Sequence, residues 1–435
     1  MSDDRGQQGV AVRVGVLGCG NVGAPLVRLI EAQEATIAAR SGLRLAVTKV
    51  AVRDLAKPRP VPAELLTDDA MAVVDDPDID VVVEVIGGVD PARDLVLSAL
   101  KAGKPVITGN KELLAKHGAE LFQAAEDAGV DLLFEAAVAG GIPIIRPLRE
   151  SLVGERITRV LGIVNGTTNY ILTRMTEAGV SYPDALAEAQ ALGYAEADPT
   201  ADVEGFDAGA KVAIIASIAF GAAVTADDVH HEGISGITEV DIAYAGKMGF
   251  VIKLLAVAEQ GDDGAIGVRV HPAMVPLEHP LAAVRESFNA VFVEGASVGD
   301  LMFYGRGAGG SPTASAILGD LIDAAVNRHK GSHASVGRLA TATIRSIDDS
   351  ESAYYLNLEV LDRPGVLAQV AGVFGDHAVS IRSMEQEGMG GEARLIFITH
   401  RAREADVRAT LAALAELEAV DRIGSVLRVV GDRPR

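Results

Sequence analysis

The chain has 435 residues, more than one hydrophobic core usually serves, so two or three domains are expected. Hydrophobic residues make up 49% and charged residues 23%, which is typical of a globular protein and excludes disorder as the default. The formal net charge of −21 argues against nucleic acid or an anionic membrane as a partner, because a polyanion would be repelled.

The single cysteine and the absence of targeting signals predict an intracellular protein. Cys19 cannot form an intrachain disulfide, and no cysteine cluster can bind zinc. Residues 1–8 lack the basic and apolar regions of a signal peptide. The longest apolar run, residues 208–224, is interrupted by Lys211 and is a little short for a membrane span of ~20 residues. We therefore expect a soluble, cytoplasmic protein with no membrane partner.

The first part of the chain alternates short β-branched runs with helical patterns. The predicted strands are residues 12–17, 43–52, 80–86, 105–108 and 130–134. The predicted helices between them are residues 24–39, 91–102 and 112–128. The first, third and fifth strands lack polar alternation, as strands buried on both faces do. This order predicts an α/β domain over residues 1–140 with a doubly wound parallel sheet of the Rossmann type.

A glycine-rich loop follows the first predicted strand and opens the first predicted helix. Its sequence is Gly18-Cys19-Gly20-Asn21-Val22-Gly23, a G-x-G-x-x-G pattern. Two glycines allow a tight turn near a pyrophosphate, and the third lets helix and strand pack closely. We therefore expect the loop to bind a dinucleotide, with Cys19 as a small buried residue and not a nucleophile.

The end of the second predicted strand bears on the choice between NAD and NADP. An NAD-specific site places a carboxylate on the ribose here, but this chain has Arg53 before Asp54, with Lys57 and Arg59 soon after. A guanidinium at Arg53 suits a 2′-phosphate, so NADP is favoured. Asp54 keeps NAD possible, and a solvated basic loop is the alternative interpretation.

The pattern changes after residue 140 and indicates an α+β substrate and dimerisation domain over residues 141–335. Predicted strands at residues 159–164, 267–271 and 290–294 are accompanied by a long helical region. A glycine-rich turn at residues 305–310 leads into a predicted helix at 313–327, which we expect to pack back on the first domain.

The last part of the chain predicts a linker and a small module. The polar residues 346–352 place the linker at 336–352. Beyond it, the predicted strands are residues 355–361, 379–386, 394–400 and 422–430, and the predicted helices are 365–375 and 404–417. The resulting β-α-β-β-α-β order predicts a ferredoxin-like domain over residues 353–435.

An acidic segment in the middle of the chain carries the most unusual chemistry. The run from Gly193 to Pro199 is followed by Asp202, Asp207 and Lys211, just before and inside the apolar run. A lysine in an apolar helix is costly unless it is paired, and Asp207 four residues earlier shares its helix face in the favourable order. A surface ion pair is the alternative, but the apolar flanks argue against it.

Six motifs in one order resemble those of homoserine dehydrogenases along nearly the whole chain. Besides the glycine loop and the acidic segment they are Thr-Gly-Asn-Lys at 108–111, Phe-Glu-Ala-Ala-Val-Ala-Gly-Gly-Ile-Pro at 134–143, Asn-Gly-Thr-Thr-Asn-Tyr at 165–170 and Gly-Ala-Gly-Gly-Ser-Pro-Thr-Ala at 307–314. The resemblance implies a reversible, NAD(P)H-dependent reduction of L-aspartate 4-semialdehyde to L-homoserine, a step towards threonine, methionine and isoleucine.

The same resemblance implies roles for individual residues. Glu196 and Asp207 would hold the amino and hydroxyl ends of the substrate, Lys211 would donate the proton, and Lys111 would lie between cofactor and substrate. Asp198 and Asp202 are weaker candidates for substrate binding. Asp198 before a proline could instead shape a turn, and Asp202 could cap the helix that follows.

The chemistry of the reaction agrees with a lysine without reference to a family. Reducing an aldehyde leaves negative charge on its oxygen, which needs a nearby cation or proton donor. With no zinc ligand set in the chain, a lysine ammonium is the plausible electrophile. Lys211 and Lys111 are the two candidates, and the sequence does not decide which one transfers the proton.

Further positions match the cofactor and cation sites of the family. Gly87 and Gly309 would bring the backbone close to the cofactor. A monovalent cation such as Na⁺ would be held, in a structural role, by the Glu135 carboxylate and three backbone carbonyls, those of Val138, Gly140 and Ile142. For the motif at 165–170, a helix cap built by Thr167 or Asn169 is the alternative to a functional role.

The motif Leu-Asp-Arg-Pro-Gly-Val-Leu at 361–367 resembles an ACT domain. Gly365 permits close backbone approach at a helix N-terminus, where a carboxylate could be received, and Asp362 belongs to the same motif. The resemblance implies L-threonine as a feedback inhibitor, bound where two modules pair, and a purely structural dimerisation domain is the alternative. We expect a homodimer or homotetramer.

Two other functions fit part of the sequence. A 2-hydroxy-acid or prephenate dehydrogenase with the same modules would carry a histidine-based catalytic pair, but none of the nine histidines lies in the acidic segment. A non-catalytic sensor of nucleotides and amino acids could keep the glycine loop and the ACT motif. It would have no reason to keep Lys111, Glu196, Asp207 and Lys211.

Overall fold

The computed structural model describes residues 9–388, 390 and 392–431, so the prediction about residues 1–8 lies outside the described part. The chain divides into two compact units. Unit 1 comprises Met1–Thr158, Ala210–Asp228 and Val293–Ala342, and unit 2 comprises Arg159–Gly209, Val229–Phe292 and Thr343–Arg435. Each unit is therefore assembled from three separate stretches of the sequence.

Unit 1 is built on a sheet of parallel strands. These are β1 (Val10–Leu17), β2 (Leu43–Ala51), β3 (Leu66–Thr67), β4 (Val81–Glu84), β5 (Val106–Thr108) and β6 (Leu132–Leu133). Their order across the sheet, β3-β2-β1-β4-β5-β6, is that of a doubly wound dinucleotide-binding sheet, and every pairing is parallel. The predicted fold class is confirmed, and β3 is an additional short strand.

The helices that connect these strands follow the prediction except in one place. They are α1 (Gly23–Ala32), α2 (Glu34–Ser41), α3 (Met71–Val74), α4 (Ala92–Lys101) and α5 (Lys111–Ala128). The helix predicted at residues 24–39 is two helices, because the chain turns at Gln33. Helix α1 buries Leu26, Val27 and Ile30 on one face, the spacing of an amphipathic helix against a sheet.

The middle of the chain supplies elements to both units. They are β7 (Ile157–Ile163), α6 (Gly166–Ala178), α7 (Tyr182–Ala191), α8 (Thr200–Val203), α9 (Phe206–Phe220), β8 (Ala222–Ala223), β9 (His230–His231), α10 (Glu239–Lys247), β10 (Phe250–Gln260), β11 (Ile266–Pro276), β12 (Phe288–Gly295), β13 (Gly299–Arg306) and α11 (Gly310–Lys330). None of the helices in the described part of the chain is long and apolar enough to cross a membrane.

Helix α11 returns to the sheet of unit 1, as the sequence predicted. Its buried residues Ile317 and Leu321 belong to one hydrophobic cluster with Val14 of β1 and Leu26 of α1. Helix α11 therefore completes the first core, although it lies far from the other members of that core in the sequence.

The C-terminal module has the predicted β-α-β-β-α-β order. Its elements, after the short β14 (Ala340–Thr341), are β15 (Glu351–Leu361), α12 (Val366–Asp376), β16 (Ile381–Gly388), β17 (Glu392–Thr399), β18 (Ala402–Arg403), α13 (Glu404–Ala415) and β19 (Val420–Val429). Its own core includes Leu358, Phe374 and Phe397. Strand β15 begins at Glu351, inside the predicted linker.

The sheet of the module continues into the rest of unit 2. The strand order is β7-β10-β11-β19-β15-β17-β16. Strands β11 and β19 pair in parallel, with Ala273 beside Arg428 and Met274 beside Val429. The last strand of the chain is thus the hydrogen-bonded link between the module and the middle strands.

Candidate active site

The loop between β1 and α1 is packed too closely for side chains at two of its glycines. A Cβ at Gly23 would lie 2.1 Å from the carbonyl oxygen of Gly18, and a Cβ at Gly18 would lie 2.7 Å from that of Val85. By contrast, a Cβ at Gly20 would meet no protein atom within 4 Å. Val22, the residue before α1, makes no side-chain cap, so a ligand anion can be received by the first amides of the helix. These features fit a dinucleotide pyrophosphate.

A second turn, residues 85–88, follows β4 at the same edge of the sheet. Glu84 is fully buried, and its carboxylate accepts the N–H groups of Ile86 at 2.8 Å and Gly87 at 3.3 Å. The hydroxyl of Thr108 donates to the same carboxylate at 2.6 Å. Gly87 has φ +81°, a conformation that favours glycine. Glu84 therefore holds the turn that contains the predicted cofactor residue Gly87.

Asn110 connects this turn to helix α5. Its side-chain amide donates to the carbonyl oxygen of Gly88 at 2.7 Å, and its side-chain oxygen accepts the N–H of Leu113 at 3.1 Å as the helix cap. Lys111 follows as the first residue of the helix. The motif at residues 108–111 pointed to this place, but the separate roles of Thr108 and Asn110 were not predicted.

The two candidate lysines line one cavity of unit 1. Lys111 at the start of α5 and Lys211 in α9 both border a space of about 270 Å³. Glycine turns form much of its remaining wall, including Gly87, Gly140 and Gly307. Only 9% of Lys211 is exposed, as expected for an ammonium that enters an apolar helix. Residues predicted to serve the cofactor and the proton transfer thus share a single cavity.

The basic loop after β2 contains two arginines, either of which could contact a 2′-phosphate. Arg53 and Lys57 are exposed, and Arg59 donates to two backbone carbonyls of its own loop at 2.5 and 2.9 Å. Cys19 is half-buried and not fully buried as predicted. This partial burial raises the pKa of Cys19, whereas the charges of Arg59 and Arg28 oppose that shift. Arg59 and Arg28 are therefore close enough to the glycine loop to act on its electrostatics, which the sequence did not reveal for Arg28.

The acidic segment begins with two exposed carboxylates in unit 2. Glu196 is exposed, and its backbone carbonyl accepts the side-chain amide of Gln190 at 3.1 Å. Asp198 accepts the hydroxyl of Thr200 at 2.6 Å and its N–H at 3.1 Å, and the hydroxyl is the larger cause of its lowered pKa. Asp198 is engaged in the turn before α8, and substrate binding by it stays a prediction.

Asn165 brings the other two carboxylates of the segment together. Its side-chain amide nitrogen donates to Oδ1 of Asp202 at 2.6 Å and to Oδ2 of Asp207 at 2.8 Å. Asp207 is buried in the first turn of α9, one turn before Lys211, and Asp202 is half-buried in α8. One amide group thus joins two acidic residues from neighbouring helices.

The cap of helix α6 is neither of the two residues named in the alternative interpretation of the motif at 165–170. The side-chain oxygen of Asn165 accepts the N–H of Thr168 at 2.9 Å, so Asn165 is the cap. Thr167 instead donates its hydroxyl to the carbonyl of Tyr194 at 2.7 Å. Asn169 lies one turn inside the helix and donates to backbone carbonyls of residues 284–288. The alternative interpretation of the motif, a cap built by Thr167 or Asn169, is therefore wrong, because the capping residue lies before the helix and not within its first turns.

The carboxylate of Glu135 closes the turn that contains the predicted cation ligands. It accepts the N–H groups of Ile144 at 2.5 Å, Ile145 at 2.7 Å and Arg146 at 2.9 Å. Val138 and Ile142 are buried in this turn, and Gly140 has φ +54°. Residues 9–388, 390 and 392–431 contain no group of three His, Cys, Asp or Glu side chains that could hold a metal. The predicted cation site differs from such groups, because three of its four ligands would be backbone carbonyls.

Helix α11 begins against the glycine loop of unit 1. Gly309, with φ +115°, precedes the helix, and a Cβ on the next residue, Gly310, would lie 2.4 Å from the carbonyl oxygen of Asn21. This close approach explains why the motif at residues 307–314 is rich in glycine. It also places Gly309 near the predicted dinucleotide loop.

The two predicted regulatory residues lie at the start of helix α12. Gly365 precedes the helix with φ +91° and no side-chain cap. Asp362 is exposed, and a Cβ on Gly388 of β16 would lie 3.4 Å from its Oδ2. The start of α12 and the end of β16 therefore adjoin, and the first amides of the helix can receive a ligand carboxylate.

Models of known protein families match most of the chain. The family described as "Homoserine dehydrogenase, NAD binding domain" matches residues 18–135, "Homoserine dehydrogenase" matches residues 143–322, and "ACT domain" matches residues 354–419. The three matches follow one another in the order that the motifs had indicated.

Relatives of similar length share about half of the residues. A homoserine dehydrogenase of Corynebacterium glutamicum is 51% identical over 430 residues, covering 98% of this chain and 97% of its own length. One of Mycobacterium tuberculosis is 52% identical over 431 residues, with coverages of 97% and 98%.

Solved structures agree with these sequence matches. The structure of a homoserine dehydrogenase from Thiobacillus denitrificans has a TM-score of 0.92 and 42% identity, covering 97% of this chain and 99% of its own. A hyperthermophilic archaeal homoserine dehydrogenase in complex with NADPH has a TM-score of 0.63 and 28% identity, with coverages of 73% and 98%.

Proposed function

Because the chain belongs to the homoserine dehydrogenase family and is an NAD(P)-dependent oxidoreductase, we propose that it interconverts L-aspartate 4-semialdehyde and L-homoserine. This step would serve the synthesis of threonine, methionine and isoleucine. The main observation in support of this proposal is the cavity of unit 1, which is lined by Lys111, Lys211 and the glycine turns. The nicotinamide cofactor supplies or accepts the hydride when it is bound.

The side chains of this chain would supply charge and orientation. As the aldehyde carbon is reduced, its oxygen gains negative charge, which an ammonium stabilises and protonates. We assign the proton transfer to Lys211, because it is mostly buried in an apolar helix, and assign positioning between cofactor and substrate to Lys111. Glu196 and Asp207 would hold the amino and hydroxyl ends of the substrate.

NADP is the proposed cofactor. A 2′-phosphate is favoured by positive charge, and four basic side chains lie on the loop after β2 or near the glycine loop. They are Arg53, Lys57, Arg59 and Arg28. The archaeal relative described in complex with NADPH supports this choice. The replacement Arg53→Ala should lower the kcat/KM for NADP relative to that for NAD, and an unchanged ratio would argue for a solvated loop.

The catalytic assignment is tested by single lysine replacements. Lys211→Ala should lower kcat by a factor of ~100 or more if the ammonium acts as the acid. Lys111→Ala should also lower kcat/KM. The matched control is Lys116→Ala on helix α5, where the exposed lysine makes only a surface pair with Glu112 at 3.6 Å.

The readout is homoserine-dependent formation of NADPH, followed by absorbance. Near-normal turnover by Lys211→Ala would remove this residue from the proton transfer. A similar loss in the Lys116→Ala control would mean that the replacements act through folding. Oxidation of other 2-hydroxy acids without activity on homoserine would favour a different dehydrogenase.

We also propose that L-threonine inhibits the enzyme through the C-terminal module. The support is the open helix start at Gly365 beside Asp362. Asp362→Ala should reduce inhibition by L-threonine at least tenfold while it preserves kcat without threonine. Unchanged inhibition would contradict this proposal and would indicate that the module has only a structural role.

A monovalent cation near Glu135 is the last part of the proposal. The buried carboxylate and the carbonyls of Val138, Gly140 and Ile142 offer oxygen ligands of the kind that hard cations prefer. Exchange of Na⁺ for choline at constant ionic strength should then lower thermal stability more than it lowers kcat. Equal stability in both salts would contradict a cation at this place.

A further inference from the structure

We propose that Asn165 is a positioning residue for substrate binding, because its side-chain amide holds the carboxylates of Asp202 and Asp207 as a pair. The inference rests on the proposed function only for the identity of the substrate. The geometry that carries it lies wholly within unit 2. Asn165 itself is 5% exposed, so solvent contributes little to its bonds.

The two carboxylates accept hydrogen bonds from the same nitrogen atom. Nδ2 of Asn165 lies 2.6 Å from Oδ1 of Asp202 and 2.8 Å from Oδ2 of Asp207. Two like charges at this separation repel each other, and hydrogen bonds from a neutral donor to charged acceptors are among the stronger ones in proteins. The amide therefore counters a repulsion that would otherwise push helices α8 and α9 apart at this point.

The arrangement also orients the carboxylates. One oxygen of each carboxylate accepts a hydrogen bond from Asn165, which restricts the positions that its second oxygen can take. Asp207 is the proposed partner of the substrate hydroxyl, so an error in this orientation would weaken substrate binding first.

Asn165 is itself held from the helix side. Its Oδ1 accepts the N–H of Thr168 at 2.9 Å and the hydroxyl of Thr168 at 2.9 Å. One turn further, Asn169 is fixed by Lys253, whose ammonium donates to Oδ1 of Asn169 at 3.0 Å. The two hydrogen bonds to Oδ1 of Asn165 restrict rotation of its amide, and Lys253 separately holds the next turn of α6.

A helix cap alone does not require asparagine at this position. Serine, threonine and aspartate cap helices about as well, because each offers an oxygen to the first amides. Among these capping residues, only asparagine combines that oxygen with an N–H₂ group that can donate to two acceptors. The two roles of Asn165, cap and bridge, can therefore be separated by replacement.

Three replacements make this separation. Asn165→Ser keeps an oxygen for the cap and removes the bridge, and Asn165→Asp keeps the cap and adds a third negative charge. Asn165→Ala removes both. The matched control is Ser181→Ala, which deletes the cap of helix α7, where the Ser181 hydroxyl oxygen accepts the N–H of Asp184 at 3.2 Å.

The expected result is a selective loss of substrate affinity. Asn165→Ser should raise the KM for L-homoserine about 10- to 100-fold, in line with lost hydrogen bonds to charged groups, while the KM for NADP stays within twofold. Asn165→Asp should raise the homoserine KM further, although it caps α6 as well as asparagine does. Ser181→Ala should lower the melting temperature without changing either KM.

Two kinetic outcomes would overturn the proposal. In the first, Asn165→Ser and Asn165→Asp both keep the homoserine KM within twofold of the wild type. In the second, all three variants lose kcat, NADP affinity and thermal stability in parallel, as the Ser181→Ala control loses stability, which is the mark of a cap only.

Crystal structures of the wild type and Asn165→Ser give a readout that does not depend on activity. The inference predicts that the Asp202 and Asp207 carboxylates separate in the variant, and unchanged carboxylate positions would overturn it. Absence of any homoserine oxidation by the wild type would instead defeat the proposed function, and the crystal comparison would still decide the role of Asn165.

Discussion

A single buried lysine shows how strongly the surroundings set the chemistry of a residue in this chain. Only 2% of Lys253 is exposed, and its ammonium donates to the side-chain oxygen of Asn169 at 3.0 Å and the carbonyl of Val284 at 2.5 Å. Burial lowers the pKa of Lys253 to about 8 from an ordinary value of 10.5. Its charged form is therefore costly to the folded state near neutral pH.

The stability of the protein should depend on pH through Lys253. Below about pH 8 the folded and unfolded forms both carry the proton, and between about 8 and 10.5 the folded form releases it first. Stability contributed by this group therefore rises with pH across that window. We expect the wild type to gain about 1 to 2 kcal/mol relative to Lys253→Met between pH 7 and 9.5, measured by urea unfolding. A constant difference would contradict the lowered pKa.

Residues that act through charge were easier to predict than residues that act through an amide. Lys211 was identifiable because an ammonium is rare in an apolar helix, and Lys111 because it matches a lysine in the homoserine dehydrogenase motif at 108–111. Asn165 was not, because amides and hydroxyls near the start of a helix have a sufficient explanation in helix capping. The role of Glu84 in holding the turn at residues 85–88 was not predicted either, because that turn forms only in the folded chain.

At the level of elements, the glycine loop is the part whose geometry demands its sequence. Gly23 packs against the carbonyl of Gly18, whereas the space in front of Gly20 is open within the protein. Two glycines of one motif therefore serve different purposes. One permits the helix to pack on the strand, and the other leaves room for a ligand.

Replacement of each glycine by alanine should separate these purposes. Gly23→Ala should lower both the melting temperature and the affinity for NADP, because its Cβ would lie 2.1 Å from a carbonyl oxygen. Gly20→Ala should keep the melting temperature within about 2 °C while it weakens NADP binding at least tenfold. Gly319→Ala in α11, where a Cβ meets nothing within 4 Å, is the control. Equal behaviour of Gly20→Ala and Gly319→Ala would contradict a ligand at Gly20.

Most strands and helices could be predicted because their hydrophobic period matched their burial. Strand β10 was missed. Almost every residue of it is buried, so it shows no alternation, and unlike the buried strands of the first domain it does not stand in a regular succession of predicted strands and helices. The break between α1 and α2 was missed for a different reason. Helical propensity runs through Gln33, so no residue there signals the turn that separates the two helices.

At the scale of the whole molecule, the C-terminal module of unit 2 is joined to the middle strands through a buried charge cluster. Arg428 of β19 is 5% exposed and donates to Glu232 at 2.8 Å and to Glu404 at 2.8 Å. Burial opposes the ionisation of Glu232, but hydrogen bonds from His230 and Arg428 lower its pKa well below the ordinary range. The cluster depends on a cation at this position.

Removal of that cation should destabilise unit 2. Arg428→Met would leave Glu404 and Glu232 without their guanidinium, at a cost of about 3–5 kcal/mol in the free energy of unfolding by urea. The control Arg401→Met removes a surface pair with Glu351 at 3.7 Å and should cost less than about 1 kcal/mol. A loss no larger than in the control would show that the cluster contributes little.

The sequence predicted the module but not its attachment. A linker at residues 336–352 suggested a separate domain, whereas β15 begins at Glu351 and β19 pairs with β11. Pairing between strands so distant in sequence leaves no local signal. Deletion of residues 353–435 would therefore expose β11 and isolate Glu232, so point replacement at Asp362 is the cleaner test of regulation.

The most direct test of the whole account is the initial rate of NADPH formation by the purified protein with L-homoserine and NADP. We expect saturable, homoserine-dependent activity that falls ~100-fold or more in Lys211→Ala and is unchanged in Lys116→Ala. Absence of homoserine-dependent NADPH formation by the wild type, or full activity of Lys211→Ala, would contradict it.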